Sequence, residues 1–217
     1  MGICYIVGAG TCEEDFRPQA GDLLIAADGG YLHCLRRGLV PDLLIGDFDS
    51  LNAVPDRLPD RCQMLRYPSE KNETDLELSV QEGEHRGYRR FLLLGALSGP
   101  RLDHTVAGLQ LLCGCAERGL TVLMSGGGQR VTAIHNTGRS FPSDCRGYLS
   151  VFAFGGAATG VTLSGVKYRL EEATLQPDIP LGVSNEFLPG QSAGVRVSHG
   201  TLLLVWQDTR PLSEQEI

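Results

Sequence analysis

The chain has 217 residues, of which 42% are hydrophobic and 21% are charged, and its formal net charge is −7. This composition is typical of a globular protein with one large or two small domains. The acidic balance argues against nucleic acid or an anionic membrane as the main partner, and no apolar run approaches the ~18 residues of a membrane span.

Short apolar runs alternate with helix-like segments in the first part of the chain. We predict strands at 3–8, 22–27, 42–46, 90–95 and 120–124, and helices at 30–38, 74–87 and 103–118. Near-continuous hydrophobicity in the strands is typical of a parallel sheet that is buried on both faces. The fold class predicted for residues 1–128 is therefore an α/β domain with a mostly parallel sheet.

The pattern changes after residue 128. Short, alternating segments rich in Val, Thr, Tyr and Phe follow at 131–136, 148–154, 160–170, 194–198 and 201–206, with no helical pattern between them. We predict an all-β sandwich or barrel domain over residues 129–217. The polar tail at 207–217 is expected to fray.

Seven cysteines are scattered through the chain without a Cys-x-x-Cys pair. Since a thiol in an apolar segment behaves as a small hydrophobe, we expect neither a disulfide framework nor a structural zinc, and we expect a cytoplasmic location. The N-terminal segment has no basic leader, so we expect no signal peptide.

Acidic residues follow two of the predicted strands. Asp28 ends "LLIAAD", and Asp47 and Asp49 end "LLIGDFD". Residues i and i+2 of an extended chain point the same way, about 6–7 Å apart, where two carboxylates repel by about 2.5 kcal/mol at an effective dielectric of ~20. A divalent cation would relieve this repulsion, and oxygen ligands favour Mg²⁺. Turn formation or helix capping on a solvated loop would also explain these acids.

A further acid lies in "EKNETDLELS", residues 70–79. Thr74 and Glu77 fit a capping box, which places Asp75 in the first turn of a helix. The helix macrodipole alone accounts for an acid there, whereas a helix N-terminus preceded by Lys71 and Asn72 could also bind phosphate. Both interpretations remain open.

The third polar element is "GALSGPRLDHTVAG", residues 95–108. Arg101 and Asp103 flank the predicted helix start, and His104 follows them. Asp103 could be a helix cap beside a surface Arg101, or Arg101 could neutralise phosphate while Asp103 orients it or a substrate group. The earlier stretch "IVGAGTCEED" does not predict a dinucleotide site, because Glu13 stands where the third glycine of that fingerprint belongs.

Taken together, these stretches resemble the thiamine pyrophosphokinase family. The matching pieces are "AADGG", "PDLLIGDFDS", "EKNETDLELS", "RLDHTVAGLQLL" and "GVSNEF", in the family's order along nearly the whole chain. The resemblance implies an α/β domain for ATP and Mg²⁺, a β-sandwich that helps to hold thiamine, and a homodimer with sites between subunits. The implied reaction transfers the pyrophosphoryl group of ATP to the hydroxyl of thiamine, which gives thiamine diphosphate and AMP.

The resemblance also implies roles for individual residues. Magnesium would be held by Asp47, Asp49 and Asp75, and thiamine would meet Ser184 and Asn185. The nucleotide would lie near Asp28, Gly29, Gly30, Lys71, Asn72, Thr74, Arg101 and His104, with Asp75 or Asp103 accepting the hydroxyl proton.

The chain departs from the family's pattern in places. "SGPRLDH" carries one additional residue with a proline, Gly108 stands where Asn is common, and Trp206 is interpreted as core. Two other functions remain open: a phosphatase of haloacid dehalogenase type that uses the aspartates of "DFDS", and a non-catalytic nucleotide-sensing module.

Overall fold

The computed structural model describes residues 2–48, 58–99 and 101–217. The chain forms two compact units, one of Met1–Gly108, Leu123–Gly127 and Pro211–Ile217, the other of Leu109–Val122 and Gly128–Arg210. Parallel strands with helices come first along the chain and antiparallel strands follow, which confirms the predicted fold class.

The sheet of the first unit is built from the predicted apolar runs. Its strands are β1 (Cys4–Val7), β2 (Leu23–Ala27), β3 (Leu43–Gly46), β4 (Gln63–Arg66), β5 (Arg90–Leu94) and β6 (Thr121–Gly126), in the order β4-β3-β2-β1-β5-β6. The pairs of β1 with β2 and β5, and of β3 with β2 and β4, are parallel. Every residue of β1, β2 and β3 is buried, as expected for strands covered on both faces.

The helices lie where the sequence predicts them. They are α1 (Gly30–Arg36), α2 (Asp75–His85) and α3 (Leu102–Glu117). Two glycines allow α1 and α2 to approach the sheet closely: a Cβ on Gly30 would lie 1.8 Å from the Val7 carbonyl oxygen, and one on Gly83 would lie 2.6 Å from the Phe91 ring. These helices are therefore packed against the sheet that carries the candidate site.

The second unit is antiparallel. Its strands are β7 (Gln129–His135), β8 (Gly138–Phe141), β9 (Tyr148–Ser164), β10 (Leu170–Leu175), β11 (Gly182–Glu186), β12 (Ala193–Arg196) and β13 (His199–Gln207). The first part of β9 pairs with β13 and β11, and its second part pairs with β12 and β10. Trp206 is buried here, with its ring edge-on to Phe141 at 5.2 Å, so it belongs to the core.

A buried ion-pair network fixes the end of the second unit. Arg130 and Asp208, whose side chains are 1% and 3% exposed, pair at 3.0 Å, and Arg210 bridges Asp208 at 2.6 Å and Asp144 at 2.7 Å. Burial would raise the pKa of Asp208, but hydrogen bonds from Arg210 and the charges of both arginines hold that pKa below its usual range. The expectation that the tail frays is wrong at this end, because paired charges hold it.

The last residues are also held within the first unit. Arg90 donates hydrogen bonds to the carbonyl oxygens of Glu214 and Ile217, the latter at 2.7 Å, and the Ile217 side chain is buried. A short 3₁₀ turn spans Glu214–Glu216. Two hydrogen bonds to its backbone and one buried apolar side chain thus hold the end of the tail, which was predicted to fray.

All seven cysteines are buried. Burial raises the pKa of both Cys34 and Cys113 to about 12, so their reactive thiolate forms are suppressed at neutral pH. Among the helices in the described part of the chain, none combines the length and the hydropathy that crossing a membrane requires.

Candidate functional site

A cavity of about 340 Å³ opens in the first unit at the carboxyl ends of β1, β2 and β5. Its described lining consists of Gly8, Ala9, Gly10, Ala27, Asp28, Thr74, Asp75, Leu76, Gly95, Ala96, Ser98, Gly99, Arg101, His104 and Thr105. The chain continues from β1 to β2 on one side, and β5 later pairs with the other side of β1, so the strand order reverses beside β1. Ligands of open α/β sheets bind at such a reversal.

Asp28 follows β2 directly and lines this cavity. It is 8% exposed and has a left-handed backbone with φ of 47°, which Asp tolerates better than most residues. Its backbone N–H donates to the Ile45 carbonyl at 2.7 Å, which ties the end of β2 to β3. Gly29 and Gly30 follow; Gly30 is buried and is not among the described lining residues, so packing of α1 accounts for it.

Asp47 is half-buried immediately after β3, the neighbour of β2. The register pairs Ala27 with Ile45, so Asp28 and Gly46 are adjacent, and a Cβ on Gly46 would lie 3.2 Å from the Asp28 Cβ. Asp28 and Asp47 therefore follow neighbouring strand ends. The predicted partner Asp49 and the additional Pro100 lie outside the described residues.

Phe48, the aromatic residue between Asp47 and Asp49 in the sequence, packs in the protein interior. It is buried, with the Arg66 guanidinium 5.9 Å from its ring centre, and its φ of 67° is left-handed. A bulky residue in this conformation is strained and is retained only where its surroundings fix it, as they often do at functional sites. The buried ring anchors the loop that carries Asp47.

The N-terminus of α2 forms another wall of the cavity. Thr74 caps the helix by accepting a hydrogen bond from the Glu77 N–H at 3.2 Å, as the capping-box pattern predicts. Asp75 lines the cavity and pairs with Lys71 Nζ at 2.8 Å, with the Lys71 side chain only 12% exposed. Asn72 is exposed and is not among the described lining residues.

The start of α3 supplies the cationic side of the site. Arg101 and His104 line the cavity, and Asp103 binds Arg101 through contacts of 2.9 Å from Nε and 2.7 Å from Nη2. These hydrogen bonds from Arg101 lower the pKa of Asp103 to about 2. Of the two roles that the sequence left open for Asp103, the observed contact fits orientation of Arg101.

The sequence prediction missed the part of the wall formed by Gly8, Ala9 and Gly10, which begin the segment 8–16, here called the glycine loop. Its Gly8 and Gly10 contact the loop after β5: a Cβ on Gly10 would lie 2.1 Å from the Ser98 carbonyl oxygen and 2.7 Å from that of Gly95. Ser98 Oγ is buried without a hydrogen-bond partner among the described residues, although it lines the cavity. A ligand hydroxyl or phosphate oxygen would satisfy it.

A second cavity of about 590 Å³ adjoins the first and shares Ala9, Gly10 and Gly99 with it. The remaining described lining is Thr11, Cys12, Gly29, Leu32, His33, Arg36 and Arg37. The glycine loop is thus a wall common to both cavities.

The remaining predicted site residues belong to the second unit. Ser184 is exposed with a left-handed φ of 57°, and its N–H donates to Ser150 Oγ at 3.1 Å. Asn185 is 3% exposed; its amide oxygen accepts from the N–H groups of Tyr168 and Glu186, both at 2.9 Å, and its amide nitrogen donates to the Tyr168 carbonyl at 2.7 Å. Ser184 presents its side chain to solvent, whereas the Asn185 side chain holds backbone.

The first cavity therefore combines two kinds of group. Carboxylates at Asp28 and Asp75 are hard oxygen donors, and Arg101 and the capped end of α2 can neutralise negative charge, while Lys71 pairs with Asp75 from outside the described lining. Within residues 2–48, 58–99 and 101–217, no three His, Cys, Asp or Glu side chains are grouped so as to hold a metal ion by themselves. This arrangement suits a phosphorylated ligand that brings its own oxygens to a shared cation.

Comparisons with known proteins identify the family of the chain. The model of the thiamin pyrophosphokinase catalytic domain matches residues 19–124, and that of the thiamin pyrophosphokinase vitamin B1 binding domain matches residues 140–202. A thiamine pyrophosphokinase of Bacillus subtilis (strain 168) is 26% identical over 176 residues, which cover 76% of this chain and 78% of that protein.

Solved structures extend the likeness to the fold. The thiamine pyrophosphokinase of Bacillus subtilis matches with a TM-score of 0.82 and 20% identity, over 96% of this chain and 100% of its own. The thiamin pyrophosphokinase of Geobacillus thermodenitrificans matches with a TM-score of 0.78 and 26% identity, over 97% and 100%. With matches to both of its domain models in sequence order, the chain belongs to the thiamin pyrophosphokinase family.

Proposed function

We propose that this protein transfers the pyrophosphoryl group of ATP to the primary hydroxyl of thiamine, giving thiamine diphosphate and AMP. The observation that carries this proposal is the cavity at the reversal of strand order, where Asp28, Asp75 and Arg101 meet in a chain of this family. The hydroxyl oxygen attacks Pβ, the bond from Pβ to the oxygen bridging to Pα breaks, and AMP leaves with that oxygen. Catalysis then depends mainly on alignment and on charge neutralisation.

Magnesium is proposed as the metal of this site. The fit rests on the donor set, since carboxylate oxygens on the cavity and on the adjacent strand end are the hard ligands that Mg²⁺ prefers. We assign the ion to Asp47, Asp49 and Asp75, with Asp28 close by. When bound, Mg²⁺ would neutralise part of the phosphate charge.

The cationic and polar groups are proposed to bind the triphosphate. Arg101 contacts a phosphate oxygen from the start of α3, with Asp103 fixing the plane of its guanidinium. Lys71, Asn72, Thr74 and His104 line the approach to the same phosphates. Ser98 Oγ donates to a substrate oxygen, because it otherwise stays buried without a partner among the described groups.

Asp75 is the better candidate for the group that accepts the hydroxyl proton. A general base works best when its pKa lies near the working pH. Hydrogen bonds from Arg101 lower the pKa of Asp103 to about 2 and engage both of its carboxylate oxygens. Asp75 also lines the cavity, whereas Asp103 is not among the described lining residues.

Thiamine is proposed to meet Ser184 through its aminopyrimidine. Asn185 contributes by holding the backbone of Tyr168 and Glu186, which keeps Ser184 in its left-handed turn. We also propose a homodimer with sites at the subunit interface. Exposed Tyr148, Leu181 and Val183, on or beside the paired strands β9 and β11, are side chains that a second subunit would cover.

One assay tests the reaction. Purified protein is given ATP, Mg²⁺ and thiamine, and the released nucleotide is identified; AMP in equal amount to thiamine diphosphate is expected. Release of ADP would indicate a simple kinase, phosphate alone a hydrolase, and no turnover a binding module, and each of these would overturn the proposal.

The seven buried thiols are suited to a reducing compartment, and we propose the cytoplasm.

Variants test the assigned acids. Asp47→Asn and Asp75→Asn should each lower kcat by at least about a hundredfold, because each removes a charged oxygen ligand of the proposed magnesium ion. Asp178→Asn is the matched control, since Asp178 is exposed in the second unit. Full activity in both site variants, with the control unchanged, would refute the assignment.

A further inference from the structure

We propose that His33 and Arg37 are positioning residues that hold the glycine loop in place and thereby set the affinity for ATP. The proposal rests on the proposed function, because it takes the cavity beside this loop as the ATP site. His33 lies in α1, and Arg37 is its C-terminal capping residue. In this role neither needs to touch the reacting atoms.

The glycine loop has a backbone that must find partners outside regular structure. Residues 8–16 form neither helix nor strand, yet the loop contains buried and half-buried positions. Buried backbone carbonyl groups require hydrogen-bond donors, and a segment without a ladder takes them from side chains.

The side chains at the end of α1 supply those donors. His33 Nε2 donates to the Gly10 carbonyl at 2.7 Å, and Arg37 Nη2 donates to the carbonyls of Cys12 at 2.7 Å and Glu14 at 3.1 Å. The three carbonyl groups belong to alternate residues of the loop. α1 thus holds the loop at every second residue.

An aromatic contact extends the same attachment. The Arg37 guanidinium lies 5.4 Å from the centre of the Phe16 ring, and Phe16 stacks on Tyr5 of β1 at 6.0 Å. Arg37 also donates to the His33 carbonyl at 3.2 Å. Because the guanidinium already serves three carbonyl groups and a ring, its role is to shape the loop rather than to bind an anion.

The other side of the loop faces the chain after β5. The Gly10 N–H donates to the Gly95 carbonyl at 2.9 Å, and the Thr11 N–H donates to the Ser98 carbonyl at 3.1 Å. Gly10 is therefore held from both sides, by His33 through its carbonyl and by Gly95 through its N–H. Since Gly8, Ala9 and Gly10 line the first cavity, loss of the His33 contact shifts a cavity wall while leaving the acids and Arg101 intact.

The experiment compares His33→Ala with His33→Gln, whose amide N–H can donate to the same carbonyl, and with Leu35→Ala. Leu35 lies on the same helix, is exposed and is not among the described lining residues of either cavity. The dissociation constants of Mg·ATP and of thiamine are measured separately by calorimetry, and hydrogen exchange is followed in peptides covering residues 8–16.

We expect His33→Ala to weaken ATP binding about fivefold, as for one hydrogen bond, with thiamine affinity unchanged and exchange in the loop accelerated. His33→Gln should restore ATP affinity to within twofold, and Leu35→Ala should match the parent. Unchanged ATP affinity in folded His33→Ala, or an equal loss for ATP and thiamine together with a lower Tm, would overturn the positioning role. A parent protein that binds no ATP would instead refute the proposed function, and normal exchange in His33→Ala would separately refute the attachment of the loop.

Discussion

Replacement of Gly10 by Ala tests how closely the two loops of the cavity are packed. A Cβ at this position would lie 2.1 Å from the Ser98 carbonyl oxygen and 2.7 Å from that of Gly95. Both are backbone atoms, so the contact cannot be relieved by a side-chain rotation. The glycine loop must move away from the chain after β5 by about 1 Å, given that non-bonded carbon contacts are optimal near ~3.5 Å.

The expected loss of stability in Gly10→Ala follows from the hydrogen bonds around Gly10. Gly10 takes part in two of them, to Gly95 and His33, and Thr11 donates a third to Ser98. At about 1 kcal/mol each, their loss lowers the free energy of unfolding by about 2–3 kcal/mol. With a urea dependence of about 2–3 kcal/mol/M, the midpoint should fall by roughly 1 M. The displaced wall should also weaken ATP binding by at least about fivefold.

The assay is urea denaturation followed by circular dichroism, together with ATP binding on the folded variant. Gly114→Ala is the control, because a Cβ there would meet no atom closer than Arg118 Nη1 at 3.6 Å. If Gly10→Ala unfolds within 0.5 kcal/mol of the parent (the ordinary range of neutral surface changes) and binds ATP equally well, the close packing of these loops is refuted.

Further variants test other features. Asp208→Asn should destabilise the second unit by about 3 kcal/mol, since the buried Arg130 loses the negative charge 3.0 Å from its guanidinium. Because the pKa of Asp208 is held below its usual range, this difference should be constant from pH 6 to 8 and shrink as the pH falls below about 4, and a cost that persists unchanged in acid would contradict it. Gly114→Ala should raise stability by up to about 1 kcal/mol, measured as a higher Tm, because it replaces glycine inside α3. Asn185→Ala should lower the free energy of unfolding by about 2–3 kcal/mol through the loss of three hydrogen bonds, and an unchanged urea midpoint would show that those bonds contribute nothing.

Much of the fold could be predicted from the sequence because its signals are local. The apolar runs of β1, β2 and β3 are buried on both faces, which is the condition under which strands read as continuous hydrophobic segments. The edge strand β4 was not predicted, since its exposed and half-buried residues give no such run. The sequence predicts two separate segments at 148–154 and 160–170, whereas one strand runs through Gly155 and Gly156 from Tyr148 to Ser164.

The candidate site could likewise be predicted only where its sequence signals are local. Thr74 and Asp28 were found because a helix cap and a strand-terminal acid are visible in a few consecutive letters. In the sequence, Gly8 and Gly10 match only part of a dinucleotide fingerprint, whereas in the structure they contact the chain after β5. No local spacing links two segments so far apart in the chain. The contact between them is therefore visible only in the three-dimensional structure.

The position of β13 has a consequence for biosynthesis. β13, residues His199–Gln207, pairs with both β7 and β9, and β9 is also the partner of β10, β11 and β12. While the ribosome is still adding residues before 207, the seventeen-residue β9 has β11 but lacks β13 along its first part, and its Val and Phe side chains stay open to chaperones. A nascent chain that stalls or terminates at residue 198 should therefore be recognised by quality control as unfinished where β13 joins β7 to β9, although more than nine-tenths of the protein has been made.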